Sequence, residues 1–284
     1  MIYHDLNVGP ITSMTWFKNR LVVATPSRVC IFKKIEDTFR LCKDLPLAVT
    51  SFINYDEVLV ARILLEEKLH VIKINEVGDV AYFTLPGNIY KILSAGNRIA
   101  YFKDEEFCVA PVTNPSTVYT CISCKRIGHK ASELNLFFAN GIFYATKQEY
   151  NGMVLIPLDP RLGDPVNTYI NGIYSEHVVK GKISLLRSSL SGFYSWWQFK
   201  GNQFQEIKFT HGIPMNCFVT GSNEKIFFYD RSTNNCYLYS DYMTPFCFTA
   251  FPKTFRNFAV DYDSNCYALD DRNTLLEVNM QPYS

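Results

Sequence analysis

Residues 11–43, ITSMTWFKNRLVVATPSRVCIFKKIEDTFRLCK, decide how the chain is read. Ile11 to Phe17 is rich in β-branched and aromatic residues, and Lys18-Asn19 interrupts it as a tight turn would. Arg20 to Thr25 is a second such run, broken by Pro26-Ser27. Val29 to Lys33 is a third, and Phe39 to Lys43 a fourth. Four short strands joined by short turns make an antiparallel meander. No window of about 12 or more residues in the chain sustains the 3.6-residue apolar period, with caps, of an amphipathic helix.

The meander recurs. Comparable first strands begin near Ile11, Ala48, Ile89, Ala131, Tyr174, Pro214 and Phe255. The turn after each first strand carries the residues that tight hairpins demand: Lys18-Asn19, Tyr55-Asp56, Gly96-Asn97, Asn140-Gly141, Lys180-Gly181, Gly221-Ser222-Asn223 and Asp263-Ser264-Asn265. Asn and Gly accept positive φ cheaply, which gives their recurrence a physical cause. A repeat of about 40 to 45 residues with four strands per unit is the signature of a β-propeller blade. The expected fold is therefore all-β: one domain over 1–284, a seven-bladed propeller of four-stranded antiparallel blades. The blades fall near 11–47, 48–88, 89–128, 129–172, 173–212, 213–253 and 254–284 plus 2–7.

The seventh unit predicts the closure. It holds Asn257 to Asp261, Cys266 to Leu269 and Thr274 to Asn279, and the sequence ends before a fourth strand. Ile2 to Asn7 stands unused before the first unit. Pairing it with Thr274 to Asn279 completes the last blade and removes an exposed edge.

On these residues the chain resembles the seven-bladed propellers of the WD-repeat class. Ile11 to Trp16, Leu21 to Thr25 and Val29 to Phe32 look like one such blade. The resemblance covers the whole chain in periodicity but is thin in motif. No Trp-Asp dipeptide ends a third strand, and His211-Gly212 reverses the usual Gly-His order. In texture it is similar to the divergent propellers that head vesicle-tethering or nuclear-pore subunits. The resemblance implies a scaffold within a larger assembly.

Composition narrows the function classes. Of 284 residues, 28 are Lys or Arg and 27 Asp or Glu, a formal charge of +1, which argues against a general polyanion binder. Apolar residues at 48% supply the core that a disordered chain lacks. No apolar run approaches the roughly 18 residues of a membrane span, and Met1 to Met14 lacks a signal-peptide pattern. Nine cysteines, an odd number, several inside apolar runs, read as buried thiols, with no disulfides expected. The expected compartment is cytoplasmic or nuclear.

Candidate chemistry is sparse. Cys121-Ile122-Ser123-Cys124 with His129 has half of a zinc spacing and no second half. Asp261-Tyr262-Asp263-Ser264-Asn265 opens like a calcium loop, but Cys266 and Arg272 replace the required Gly and Glu, and the turn of blade seven needs the same residues. Trp196 and Trp197 would point to opposite faces of one strand and pack between blades. No nucleophile elbow, zincin or phosphate-loop motif is present. Glu133, Glu176 and His177 are the acid–base candidates on inner strands, too few to build a pair. No cofactor, metal or catalytic residue is expected.

What remains is surface. The propeller map gathers Arg28, Glu66, Glu67, Asp104, Glu105, His129, Lys130, Glu149, His211, Arg231, Lys253 and Arg256 on one face, the acids concentrated on blades two and three and the bases mainly from blade four onward. All of these except Glu149 form the expected partner-binding set, for a protein subunit or peptide. The prolines of Pro111 to Val118 and Leu158 to Val166 mark two longer loops on the opposite face. The leading function is a non-catalytic interaction scaffold. The alternatives are an RNA-binding propeller using Lys130, His211, Lys253 and Arg256 beside Phe251 and Phe255, and a divergent propeller enzyme.

Overall fold

The computed structural model describes residues 1–55, 58–63, 68–75, 78–85, 89–139, 141–150, 152–159, 168–171, 174–180, 183–188, 194–200, 203–207, 217–222, 225–239 and 247–280. Its described strands pair into seven four-stranded antiparallel sheets, over 13–45, 51–85, 89–123, 135–171, 174–207, 217–250 and 257–279. In the first six, spatial order follows chain order, as a meander requires. First strands begin at 13, 51, 89, 135, 174, 217 and 257, each within four residues of the position read from the turns. The seventh sheet takes its outer strand from the other end of the chain. Ile2–His4 pairs antiparallel with Leu275–Asn279, Tyr3 opposite Leu276 and His4 opposite Leu275. The strand spared at the N-terminus therefore completes the last sheet.

Two compact units divide the chain: 1–84 with 216–284, and 85–215. In the first unit, the first strands of the sixth, seventh, first and second sheets lie side by side in that order. Three apolar clusters fill the spaces between these sheets. Strand residues alternate between faces, so Leu21 and Val23 pack toward the seventh sheet with Tyr267, Leu269 and Leu275. Val22 and Ala24 pack toward the second sheet with Leu59, Ala61 and Ile72. A sheet covered on both faces needs apolar residues at every covered position, which is why Leu21 to Ala24, LVVA, carries no polar alternation. Each fully buried Val or Leu contributes roughly 1.5–3 kcal/mol relative to exposure.

A buried polar cluster interrupts this core. Glu277, on the same face of its strand as Leu275, accepts a hydrogen bond from His4 Nε2 at 2.8 Å and pairs with Lys34 of the first sheet. The Lys34 ammonium also lies 5.7 Å from the Tyr267 ring centre, and Tyr267 stacks on Trp16 at 5.1 Å. Glu277 thus joins the N-terminal strand, the C-terminal strand and the first sheet through one carboxylate.

In the second unit, Ile99 to Phe102 and Phe107 to Val109 are buried, and Phe102, Phe107 and Phe143 form a chain of ring contacts. The segment between its first two sheets departs from strand. Ser123 caps a single helical turn, Cys124–Ile127, accepting from Lys125 N, and Gly128 ends it at φ 81. A left-handed residue there satisfies the last carbonyls, and glycine adopts it without a Cβ penalty. A 3₁₀ turn at Ala131–Glu133 follows. The first strand expected from Ala131 therefore starts at Asn135, and Glu133 is an exposed turn residue, not an inner-strand acid.

Candidate functional site

Within the first unit, two turns between second and third strands share one design. Asp230 accepts from Ser232 N, the Ser232 hydroxyl and the Thr233 hydroxyl at 2.9, 2.6 and 3.0 Å. Asp270 accepts from Arg272 N and Thr274 N at 2.9 and 2.8 Å, and from Lys253 Nζ. Burial alone would raise both carboxyls, but these donors together hold each below its ordinary range. Each turn also contains an asparagine at positive φ, Asn234 (57°) and Asn273 (63°). Asn234 Oδ1 accepts from Tyr229 and Thr254 hydroxyls, and Asn273 Oδ1 from Ile11 N and Arg256 Nη2. In both cases the asparagine ties its turn to the linker entering the next sheet.

The expected binding residues of this unit sit around these turns. Lys253 pairs with Asp270 and covers the Phe255 ring at 5.6 Å. Arg256 donates to Asn273 and to the Asp270 carbonyl. Arg231 is exposed at the tip of the Asp230 turn. Arg28, on the corresponding turn of the first sheet, binds Asp44 Oδ2 at 2.8 Å with both side chains about two-fifths exposed. Lys253 and Arg256 thus meet at the Asp270 turn, where much of their charge is used to build loops, while Arg231 stands exposed on the Asp230 turn. Glu66, Glu67 and His211 lie outside the described residues.

A mixed-charge group forms within the second unit. Asp104 and Glu105 occupy a tight turn at φ 48 and 62. The Glu105 carboxylate accepts from Ala131 N at 3.0 Å and its carbonyl from Cys124 N at 2.8 Å, so this acid positions the helical segment. His129 Nδ1 lies 3.0 Å from Lys147 Nζ, which is 3.6 Å from Glu133. Lys130 is exposed at the start of the 3₁₀ turn, and Glu149 is exposed at the end of its strand. Asp104, Glu105, His129 and Lys130 therefore share one neighbourhood.

The remaining candidates resolve differently. Cys121 lies on the outer strand of the third sheet opposite Cys108, and its thiol meets Cys108 Sγ at 3.1 Å. Cys124 is buried at the start of the helical turn. The Asp261 carboxylate is filled by its own turn: it accepts from Asp263 N, Asn265 N, the Asn265 amide and the Tyr267 hydroxyl at 2.8–2.9 Å. Burial first, and then the adjacent Asp261, push the Tyr267 hydroxyl well above its ordinary range. Phe251 and Phe255 are 4% and 2% exposed and pack with Phe258 in the core, so neither presents a face for base stacking. The RNA reading loses its aromatic half on that ground. Glu176, His177, Trp196 and Trp197 lie on strands of the fifth sheet whose side chains are outside the described residues. Sequence reasoning missed Cys108, whose only signal was parity with Cys121 along two adjacent strands.

Four-stranded antiparallel meanders with neighbouring first strands, repeated along the chain, define a β-propeller, and this chain is a divergent one. Solved structures agree. The β-propeller domain of Cps50 (Swd1) from Myceliophteria thermophila is similar at a TM-score of 0.61, with 10% identity, over 99% of this chain and 100% of that one. Kluyveromyces lactis Hsv2 is similar at 0.55, with 11% identity, over 97% and 99%. A chain of the mitotic checkpoint complex is similar at 0.58, with 11% identity, over 95% and 89%. No protein-family model and no curated protein matches the sequence. Among the described residues, no helix is long and apolar enough to cross a membrane.

Proposed function

We infer that this chain is a non-catalytic scaffold whose seven sheets close as the blades of one propeller domain over 1–284, displaying loops to a protein partner in a cytoplasmic or nuclear complex. One observation carries the reading. In the Asp230 and Asp270 turns the polar side chains fix loop shape through dense local hydrogen bonding, and no acid–base pair converges on a reacting position there. Rigid loops on doubly covered sheets suit recognition, because little ordering entropy is lost on binding. Similarity to a chain of a named complex supports a subunit role. The partner-facing residues are the expected set, Arg28, Glu66, Glu67, Asp104, Glu105, His129, Lys130, His211, Arg231, Lys253 and Arg256. Of these, Arg231 and Lys130 are exposed enough to reverse in charge without touching the core.

Affinity capture from the source cells, with quantitative mass spectrometry, tests this. The wild-type chain is expected to recover a reproducible partner, and Arg231→Glu or Lys130→Glu to weaken its recovery about tenfold, the scale of one hot-spot contact. No stable partner, or recovery indifferent to every charge reversal in the set, overturns the reading. Recovery of nucleic acid in place of protein, with binding that falls steeply as salt rises, also overturns it.

A further inference from the structure

The third sheet holds a side-chain cluster that loop display does not use. Glu106 and Cys108 stand two residues apart on the strand Glu106–Pro111, hence on the same face. Cys121, on the neighbouring strand Thr120–Ser123, is the register partner of Cys108. The two sulfurs are 3.1 Å apart, and Cys121 Sγ is 3.3 Å from Glu106 Oε2. All three ligand atoms lie within 4.8 Å of one another. They border a cavity of about 200 Å³ whose wall includes Tyr101, Lys103, Ser116 and Val118.

We propose that Glu106, Cys108 and Cys121 form a binding site for a thiophilic divalent cation of the zinc class, held by two thiolates and one carboxylate. The fourth corner opens to the cavity and takes water or an outside ligand. The geometry needs little adjustment. Zinc–sulfur bonds near 2.3 Å in a tetrahedron place two sulfurs about 3.8 Å apart. The present separation widens to that by a few tenths of an ångström on each side, and Cys121, exposed on the outermost strand, is free to make most of the move. Two thiolates and a carboxylate bring three negative charges against the two of the cation; of the other charged residues on the cavity wall, Lys103 offsets the remainder and Asp104 adds to it. Soft thiolates select such ions over magnesium or calcium.

Burial first, then the Cys121 thiol and the Glu106 carboxylate, push the Cys108 thiol up to about 12, and burial also raises Cys121. A bound cation reverses the sign of the Glu106 effect, because the carboxylate then opposes a positive centre. Metal capture releases both thiol protons, so apparent affinity climbs with pH by up to about a hundredfold per unit. This site is independent of the scaffold reading and stands or falls without it.

The test titrates Co²⁺, then competing Zn²⁺, into the full chain, stripped of metal and reduced with a phosphine. One ion per chain is expected, with a sulfur-to-cobalt charge-transfer band that strengthens from pH 6 to 8. Cys121→Ser should abolish the band, Glu106→Gln should keep it while weakening binding at least about tenfold, and Cys124→Ser should leave both unchanged. Both Cys121 and Glu106 are exposed, so circular dichroism should find either variant folded. Absence of a saturable thiolate band overturns the site, as does a Cys121→Ser protein that binds like wild type. Loss of binding in Cys124→Ser alone would also overturn it, because that outcome assigns the ion to the other thiol.

Discussion

Replacing Glu277 with glutamine should be among the most costly single-atom changes in this chain. The side chain is 8% exposed and receives His4 Nε2 and Lys34 Nζ from two other strands. Glutamine keeps the volume and one acceptor but removes the charge, leaving the Lys34 ammonium, 20% exposed, without its carboxylate. Breaking a buried pair by removing one member costs about 3–5 kcal/mol, since the survivor keeps its desolvation penalty. Lys34 retains some solvent and a ring face on Tyr267, so the lower end applies, about 3 kcal/mol. Unfolding entropy of about 2.1 cal/mol/K per residue makes that a fall in Tm of roughly 5 °C for one cooperative unit of this length. The assay is urea and thermal unfolding by far-ultraviolet circular dichroism, in Glu277→Gln, Lys34→Met and the double variant. Lys34→Met retains the stem and removes the charge, so the double variant should be more stable than the sum of single losses implies, by about 1–3 kcal/mol. A Glu277→Gln loss under about 0.5 kcal/mol, or strict additivity, would refute the idea that this carboxylate joins three strands.

Two further outcomes follow from the loops. Asp270 has a lowered pKa in the folded chain, so the unfolded chain takes up that proton first as pH falls. Its stabilisation is complete above the ordinary carboxyl range and is lost as pH falls through the folded value. Asp270→Asn should therefore flatten the acid limb of a stability–pH curve below about pH 5, and an unchanged limb would show that its donors contribute nothing. Phe255→Ala should cost about 3–5 kcal/mol by leaving a cavity against Phe251 and Phe258. A folded, equally stable Phe255→Ala protein with altered RNA affinity would reverse the assignment of that ring to the core.

Much of the fold was legible because turns are local. Lys18-Asn19 and Gly96-Asn97 announce their hairpins by residue type, and Lys18, Asn19 and Gly96 indeed take positive φ, at 46, 56 and 57°. The closure was legible for a different reason: Ile2 to Asn7 had strand character and no partner in its own unit. Where the reading slipped, a tertiary contact had replaced a local rule. Ala131 to Glu133 is turned into 3₁₀ by a hydrogen bond to Glu105, 26 residues earlier, which no pattern around Ala131 records. Glu277 sits in LLEVN as one acid in an apolar strand, and its partner Lys34 is 243 residues away. Cys121 and Cys124 are neighbours in sequence, yet register places Cys121 against Cys108.

The turns divide the polar residues of this propeller into two kinds. Asp230, Asn234, Asp270 and Asn273 face inward on their own loops and accept backbone or linker donors. Arg231, Asp271 and Arg272 stand on the same loops but are exposed. Because neighbouring sheets in the first unit bury both faces of the first sheet's inner strands, that sheet can vary without disturbing the core at its loops and along its exposed outer strand, Thr38–Leu45. Substitution of the inward set should change stability, and substitution of the projecting set should change recognition. Lys253 and Arg256 share both roles, since Asp270 and Asn273 hold them while the Lys253 side chain remains exposed. A partner that reads charge on this unit would therefore meet Arg231, Asp271 and Arg272 together with Arg28 and Lys253, the last two already paired with Asp44 and Asp270, a mixed surface whose salt dependence should be mild compared with that of a phosphate-binding groove.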